Sequence, residues 1–138
     1  MIGVLVITHG NLGNELVKVA ELIKGSLEGT LCVSVDATRG LDDLRKEITS
    51  AIRKVDSGSG VLVLTDLFGG TPSNVSLAFL KEGRVEVVTG VNLPMLLKVP
   101  DVREKEDDLS RFAAEIRDYG KKNIYLASEV LKKKIGDS

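Results

Sequence analysis

Short apolar runs rich in β-branched residues constrain the fold of this chain most strongly. The runs are Ile2–Ile7, Leu31–Val35, Val61–Thr65 and Val85–Thr89. The first of them lacks apolar–polar alternation, which is typical of strands that are covered on both faces of a parallel sheet. Between the runs, apolar residues recur at helical spacing, most clearly at Leu41, Leu44, Ile48, Ile52 and Val55. Strands that alternate with helices predict an α/β fold with an open, mainly parallel sheet of four parallel strands and helices on both faces.

The C-terminal part of the chain is predicted to contain further helices and one ambiguous segment. A short helix is expected over Met95–Val99, followed by a mixed-charge connection over Asp101–Asp108 and a helix that stops near Gly120. The segment Asn123–Leu131 fits two structures, because Ile124, Leu126 and Val130 share strand parity while Ile124, Ala127 and Leu131 share a helix face. Periodicity alone leaves both open.

Composition narrows the class of protein. The chain has 138 residues, which fits a single domain spanning residues 1–138, and a formal net charge of −1 provides no basic field for nucleic acid. Cys32 is the one cysteine and His9 the one histidine, so we expect neither a disulfide within the chain nor a metal site built from several such ligands. No basic leader precedes Ile2, and no apolar stretch reaches the roughly 20 residues of a membrane span. We therefore predict a cytoplasmic protein that does not insert into membranes.

Polar clusters follow the predicted strands at their carboxyl ends. Thr8–Gly10 follows the first strand, Asp66–Asn74 the third and Gly90–Asn92 the fourth. In open α/β sheets the ligand site lies outside the carboxyl ends of the strands. The three clusters share one edge of the sheet, so they are predicted to converge on a single crevice.

His9 and Asp66 are the candidate catalytic pair. Imidazole titrates close to neutral pH and can act as a nucleophile there. A carboxylate that accepts a hydrogen bond from one ring nitrogen fixes the tautomer, leaves the other nitrogen free and stabilises positive charge developing on the ring. Two simpler interpretations stay open at this point: a structural or merely exposed histidine, and a turn or capping aspartate.

The segment after Asp66 is predicted to bind a phosphoryl group. Its candidate residues are Gly69, Gly70, Thr71, Ser73 and Asn74. Free N–H groups at the start of a helix welcome an anion, although two adjacent glycines also occur in ordinary tight turns. The chain has no P-loop, dinucleotide-binding or G-x-S-x-G motif. Phosphoryl transfer through His9 is the chemistry that these residues fit best.

Three segments together carry a family resemblance. Gly3–Gly10, Thr65–Asn74 and Gly90–Leu96 resemble, in order and over nearly the whole chain, the mannose-type EIIA component of the bacterial phosphoenolpyruvate:sugar phosphotransferase system (PTS). The resemblance implies that His9 accepts a phosphoryl group from phosphorylated HPr and donates it to an EIIB domain. It also implies that Asp66 holds the ring, that the Gly69–Asn74 loop surrounds the phosphoryl group, and that no cofactor takes part.

The resemblance further implies a homodimer in which the last strand is exchanged between subunits. This favours a strand over Asn123–Leu131, antiparallel at the edge of the sheet. Because the sequence stops at Ser138, without the hinge that leads into EIIB in many relatives, a separate EIIB is expected, with an indirect link to the membrane components EIIC and EIID. The alternatives are a regulatory EIIA, the phosphotransferase subunit of a dihydroxyacetone kinase, and a small-anion binder in which His9 is only a ligand.

Overall fold

The computed structural model describes residues 1–136, which form a parallel sheet flanked by helices. In chain order the elements are β1 (Gly3–His9), α1 (Leu12–Lys24), β2 (Thr30–Val35), α2 (Leu41–Val55), β3 (Val61–Thr65), α3 (Thr71–Leu77), β4 (Val85–Thr89), α4 (Leu93–Lys105), α5 (Leu109–Lys122) and α6 (Ala127–Gly136). The strand order is β2-β1-β3-β4, and each neighbouring pair is parallel. The predicted α/β class, with an open parallel sheet, is confirmed.

The central strands β1 and β3 are buried on both faces, which explains why their sequences do not alternate. On one face, Val4, Leu62 and Phe112 belong to an apolar cluster with α1, α4 and α5. On the other face, Leu5 and Ile48 belong to a second cluster with α2 and α3. Burying a large apolar side chain stabilises the fold by about 1.5–3 kcal/mol. The two clusters therefore stabilise β1 and β3, the strands from which the loops at the carboxyl edge of the sheet begin.

Helix α4 is longer than predicted, and the expected mixed-charge connection over Asp101–Asp108 is wrong for its first half. The helix continues through Pro100 to Lys105, although proline removes one backbone hydrogen bond from a helix interior. Tertiary contacts explain the continuation. Val102 is buried in the core, and Arg103 donates hydrogen bonds to the carbonyl oxygens of Ile2 (2.8 Å), Gly29 (3.2 Å) and Glu28.

Replacing Arg103 with Met should lower the free energy of unfolding by about 2 kcal/mol, because carbonyl groups at the starts of β1 and β2 lose their donor. Urea denaturation measures the change. Arg53→Met is the matched control, since Arg53 is exposed on α2 and should shift stability by no more than about 0.5 kcal/mol. Equal effects of the two substitutions would show that the Arg103 hydrogen bonds do not stabilise the fold.

The predicted fifth strand over Asn123–Leu131 is not present in the single chain. Within residues 1–136 the sheet has four strands, residues 124–126 have no regular structure, and α6 begins at Ala127. A helix satisfies its backbone groups locally, as in the hydrogen bond from the Val130 N–H to the Leu126 carbonyl (3.3 Å), whereas an added strand needs a sheet edge. The exchange of this segment between subunits stays a prediction.

Candidate functional site

The strand order places His9 at the centre of the carboxyl edge. β1 lies between β2 and β3, so the chain leaves β1 toward one neighbour and later returns on its other side, which creates the switch point where α/β sheets bind ligands. His9 is paired with Val35 of β2, and Ile7 is paired with Thr65 of β3. Asp66 follows Thr65 directly, so the sheet brings the two candidate residues to the same point.

His9 and Asp66 are in direct contact. One carboxylate oxygen, Oδ2, accepts the His9 backbone N–H (2.9 Å) and lies 2.8 Å from the ring Nδ1. The other oxygen, Oδ1, accepts the backbone N–H of Leu67 (3.0 Å). An ionised carboxylate only accepts hydrogen bonds, so in the neutral ring Nδ1 carries the proton and Nε2 keeps its lone pair. The Asp66 side chain is 9% exposed and that of His9 is 50% exposed, so the carboxylate is covered while the ring stays accessible.

The environment of Asp66 keeps its carboxyl group ionised. Partial burial by itself raises the pKa of Asp66. The hydrogen bonds from the His9 backbone and ring, together with the positive charge of the ring when it is protonated, outweigh burial, so the pKa of Asp66 lies below the usual range. The ionised contact therefore stabilises the folded protein fully above the ordinary pKa of a carboxyl group. This stabilisation is lost as the pH falls through the lowered pKa of Asp66.

Replacing His9 with Ala should raise the pKa of Asp66 toward its ordinary value, because the hydrogen bond and charge of the ring are removed while the backbone hydrogen bond is kept. A carboxyl-carbon NMR titration of both proteins measures the shift. Asp36 serves as an internal control, since hydrogen bonds from Thr38 lower its pKa and survive the substitution. If Asp66 titrates at the same pH in both proteins, the ring does not stabilise the carboxylate.

The loop after Asp66 passes along the free edge of the His9 ring. Gly69 has φ +96°, a conformation that favours glycine. Gly70 has an ordinary φ of −88°, but a Cβ atom there would lie 2.8 Å from the His9 Cε1 and 3.3 Å from Nε2. Glycine is therefore needed here because the backbone comes close to the His9 ring, and not because the backbone has an unusual conformation. The loop packs against the ring beside the nitrogen that Asp66 leaves free.

The remaining loop residues differ in what their side chains contact. Ser73 is buried, and its hydroxyl accepts the Gly69 N–H (3.4 Å). The Asn74 amide donates to the Gly69 carbonyl (3.4 Å), and its backbone N–H donates to Gly70 (2.9 Å). Thr71 is exposed and lines a cavity together with His9. The backbone N–H groups of Thr71 and Ser73 belong to the first turn of α3, where a helix provides no internal acceptor.

The segment between β2 and α2 also lines the site, and the sequence analysis missed it. A cavity of about 360 Å³ beside His9 is lined by His9, Val35, Asp36, Ala37, Arg39, Leu41, Leu44 and Thr71. The Gly10 N–H donates to the Val35 carbonyl (2.8 Å), which ties this segment to the residue after His9. The sheet topology could have predicted this position. A strand that is parallel to β1 and adjacent to it must end at the same edge of the sheet, so the segment after β2 lies close to His9.

The third polar cluster, Gly90–Asn92, fixes the chain next to the site without contributing a residue to the His9–Asp66 contact. The Val91 N–H donates to the Thr65 carbonyl (2.9 Å), which fixes the end of β3 just before Asp66. The Asn92 side chain accepts the Met95 N–H (3.1 Å) at the start of α4 and donates to the Gly120 carbonyl (3.0 Å). Within residues 1–136, no group of three or more potential metal ligands was found, and none of the helices is long and apolar enough to cross a bilayer.

A histidine held by a carboxylate at the switch point of a parallel sheet defines the kind of site, and comparison with known proteins specifies the family. The EIIA-man family model, described as PTS system fructose IIA component, matches residues 3–117. The chain belongs to this mannose-type EIIA family and is an EIIA component of the sugar phosphotransferase system, which confirms the resemblance inferred from the sequence. EIIA components are phosphotransfer proteins.

Individual relatives support the assignment. The fructose-specific EIIA component of Bacillus subtilis (strain 168) is 33% identical over 105 residues, which cover 75% of this chain and 72% of that protein. The mannose-specific EIIAB component of Escherichia coli (strain K12) is 27% identical over 124 residues, which cover 89% of this chain but only 38% of that longer protein. The names of these relatives specify different sugars.

Solved structures agree with the fold. The EIIA component from Streptococcus agalactiae superposes with a TM-score of 0.84 at 27% identity, covering 94% of this chain and 99% of that chain. The mannose/sorbose-specific IIA subunit from Enterococcus faecalis gives a TM-score of 0.79 at 25% identity, covering 91% and 93%.

Proposed function

We propose that this chain is a phosphocarrier in which His9 accepts a phosphoryl group from phosphorylated HPr and passes it to an EIIB domain for the uptake and phosphorylation of a sugar. The observation that carries this proposal is the contact of Asp66 with Nδ1 of His9 (2.8 Å), which leaves Nε2 free of that contact on a side chain that is 50% exposed. Membership of the EIIA family supports the choice of both partners.

The chemical step follows from this geometry. The lone pair of His9 Nε2 attacks the phosphorus of the donor phosphohistidine, the bond between phosphorus and the donor nitrogen breaks, and its electron pair returns to the donor ring. The His9 ring becomes positively charged, and the ionised Asp66 compensates this charge at Nδ1. Attack on the phosphorus by the EIIB nucleophile then reverses the sequence and restores neutral His9.

The loop from Gly69 to Asn74 is proposed to surround the phosphoryl group. The donors in this proposal are the N–H groups of Thr71 and Ser73 and the Thr71 hydroxyl, at the positive end of α3. They follow Gly70, where a Cβ atom would lie 3.3 Å from Nε2 of His9. Gly69 and Gly70 allow the backbone to approach, and the Ser73 and Asn74 side chains hold the loop through Gly69. In this proposal, each of the predicted phosphoryl-binding residues donates a hydrogen bond to the phosphoryl group, lets the backbone approach it or holds the loop in place.

The surroundings of His9 favour protein partners over a small-molecule substrate. Exposed apolar side chains flank the site at Leu12, Leu41, Leu67 and Phe68, of which Phe68 is 73% exposed. Apolar side chains exposed together mark surfaces for protein contact, whereas small-molecule sites enclose most of their ligand. A ring accessible in the middle of such a rim suits transfer between two proteins.

Phosphorylation by phosphoenolpyruvate, enzyme I and HPr, followed by mapping of the modified residue, tests the proposal. We expect an acid-labile, base-stable phosphate on His9, no label on His9→Ala, and loss of the label when an EIIB domain is added. Phosphate binding without covalent labelling would support an anion-binding protein instead. Labelling that no EIIB removes would favour a regulatory EIIA.

We further propose that the chain forms a homodimer through the segment after α5. Ile124, Tyr125 and Leu126 are exposed in the single chain, and a groove of about 370 Å³ runs along the β4 edge beside α5. Light scattering should give twice the chain mass of 14.8 kDa, and Ile124→Lys combined with Leu126→Lys should give the chain mass. A chain mass for the unsubstituted protein would contradict the dimer.

A further inference from the structure

Arg39 lies in the cavity beside His9 and is not used by the chemistry described above. Apart from His9, the charged residues that line this cavity are Arg39 and Asp36. The Asp36 carboxylate is held by Thr38, whose backbone N–H and hydroxyl donate to Oδ1 at 2.9 and 2.6 Å. Arg39 is therefore the arginine among the residues that line the cavity together with His9 and Thr71.

The guanidinium of Arg39 is held between two partners. Nη1 donates to the Ser34 carbonyl (3.1 Å), and Nη2 forms an ion pair with Glu47 of α2. The Ser34 carbonyl belongs to β2, so one end of the guanidinium is anchored to the sheet. Glu47 is partly exposed, so another anion can replace it as the partner of Arg39. The released Glu47 carboxylate would then be solvated, and no buried charge would be left unpaired.

We propose that Arg39 is the charge partner of the phosphoryl group on His9, and that Glu47 competes with that group for the guanidinium. The inference rests on the proposed phosphocarrier function. A phosphohistidine brings about two negative charges into this cavity, and arginine binds such groups through paired N–H donors. Transfer of the guanidinium from Glu47 to the phosphoryl group stabilises the phosphorylated form. The strength of the Arg39–Glu47 pair then sets how readily the protein accepts and releases phosphate.

The test is the equilibrium constant for phosphoryl exchange between phosphorylated HPr and this protein, measured for paired variants. Arg39→Gln should lower the constant roughly tenfold, which corresponds to about 1.4 kcal/mol. Arg39→Lys keeps the charge and should recover part of that loss. Glu47→Gln removes the competitor and should raise the constant several-fold, so the two glutamine variants shift it in opposite directions.

Asp42→Asn is the matched control, because Asp42 is an exposed residue of α2 that pairs with Arg45 at 3.7 Å and is not one of the residues that line the cavity. It should leave both the constant and the ³¹P chemical shift of phosphohistidine unchanged, whereas Arg39→Gln should move both. If Arg39→Gln does not fold, Arg39→Lys and Glu47→Gln decide the question.

The failure of this inference is distinct from the failure of the phosphocarrier proposal. If the unsubstituted protein is not labelled on His9, the phosphocarrier function is wrong. If it is labelled, and the Arg39 and Glu47 variants leave the constant unchanged or shift it in the same direction, the role of Arg39 is overturned while the carrier function stands.

Discussion

Replacing Asp66 with Asn is expected to slow phosphoryl transfer to His9 by about 10²- to 10⁴-fold while the fold is kept. Asparagine has the same shape but no negative charge, so it does not stabilise the cationic ring that forms during transfer. Its NH₂ group can also donate to Nδ1, which would place the ring proton on Nε2, the nitrogen that must attack. The amide oxygen can take the place of only one carboxylate oxygen, so either the His9 or the Leu67 backbone N–H loses its acceptor.

Rapid-quench transfer from phosphorylated HPr measures this rate. Asp118→Asn is a suitable control, because Asp118 is an exposed residue of α5 that pairs with its neighbour Arg117. It should leave the rate unchanged. Transfer at the unsubstituted rate in Asp66→Asn would remove Asp66 from the mechanism.

Replacing Gly70 with Ala is expected to reduce phosphoryl transfer at least about tenfold with little loss of stability, since misplaced reacting groups lose rate steeply. The added Cβ would lie 2.8 Å from Cε1 of His9, too close for two carbon atoms. The ring cannot move away freely, because Asp66 holds it at Nδ1, the atom bonded to Cε1. Either the ring turns away from Asp66 or the loop moves away from Nε2, and both changes separate groups that we propose act together on the phosphoryl group.

Gly40→Ala provides a matched control for this substitution. Gly40 precedes α2, has an ordinary φ of −72° and has open space where a Cβ would be added. Both variants should unfold at similar urea concentrations, and only Gly70→Ala should lose transfer rate. A normal rate in Gly70→Ala would show that the loop adjusts without disturbing the ring.

Much of the sheet and the main pair of the candidate site were predictable from the sequence. β1 and β3 lie inside the sheet, so burial on both faces selects continuous apolar runs that contrast with the loops. His9 ends β1 and Asp66 directly follows β3, and adjacent parallel strands bring such residues together. The prediction therefore rested on topology and needed no estimate of side-chain contacts.

Other features depend on contacts that a local pattern does not contain. The sequence predicts a helix that ends at Val99, but the hydrogen bonds from Arg103 to carbonyl groups far away in the chain favour its continuation through Pro100. Gly70 looked like a turn glycine, while its importance comes from the distance to a ring 61 positions earlier in the sequence (70 − 9 = 61). The segment Ala37–Gly40 carries no recognisable motif, and its place beside His9 follows from the position of β2 next to β1.

The double hydrogen bond from His9 to a single oxygen of Asp66 has a kinetic consequence. Because the same carboxylate oxygen holds the His9 main chain and its ring, the imidazole has one orientation. A single ring nitrogen, Nε2, is then available for phosphoryl exchange. If HPr is the donor and EIIB the acceptor, as proposed above, both must reach this nitrogen and cannot bind at the same time. We then expect ping-pong kinetics, in which unphosphorylated HPr competitively inhibits phosphoryl transfer to EIIB.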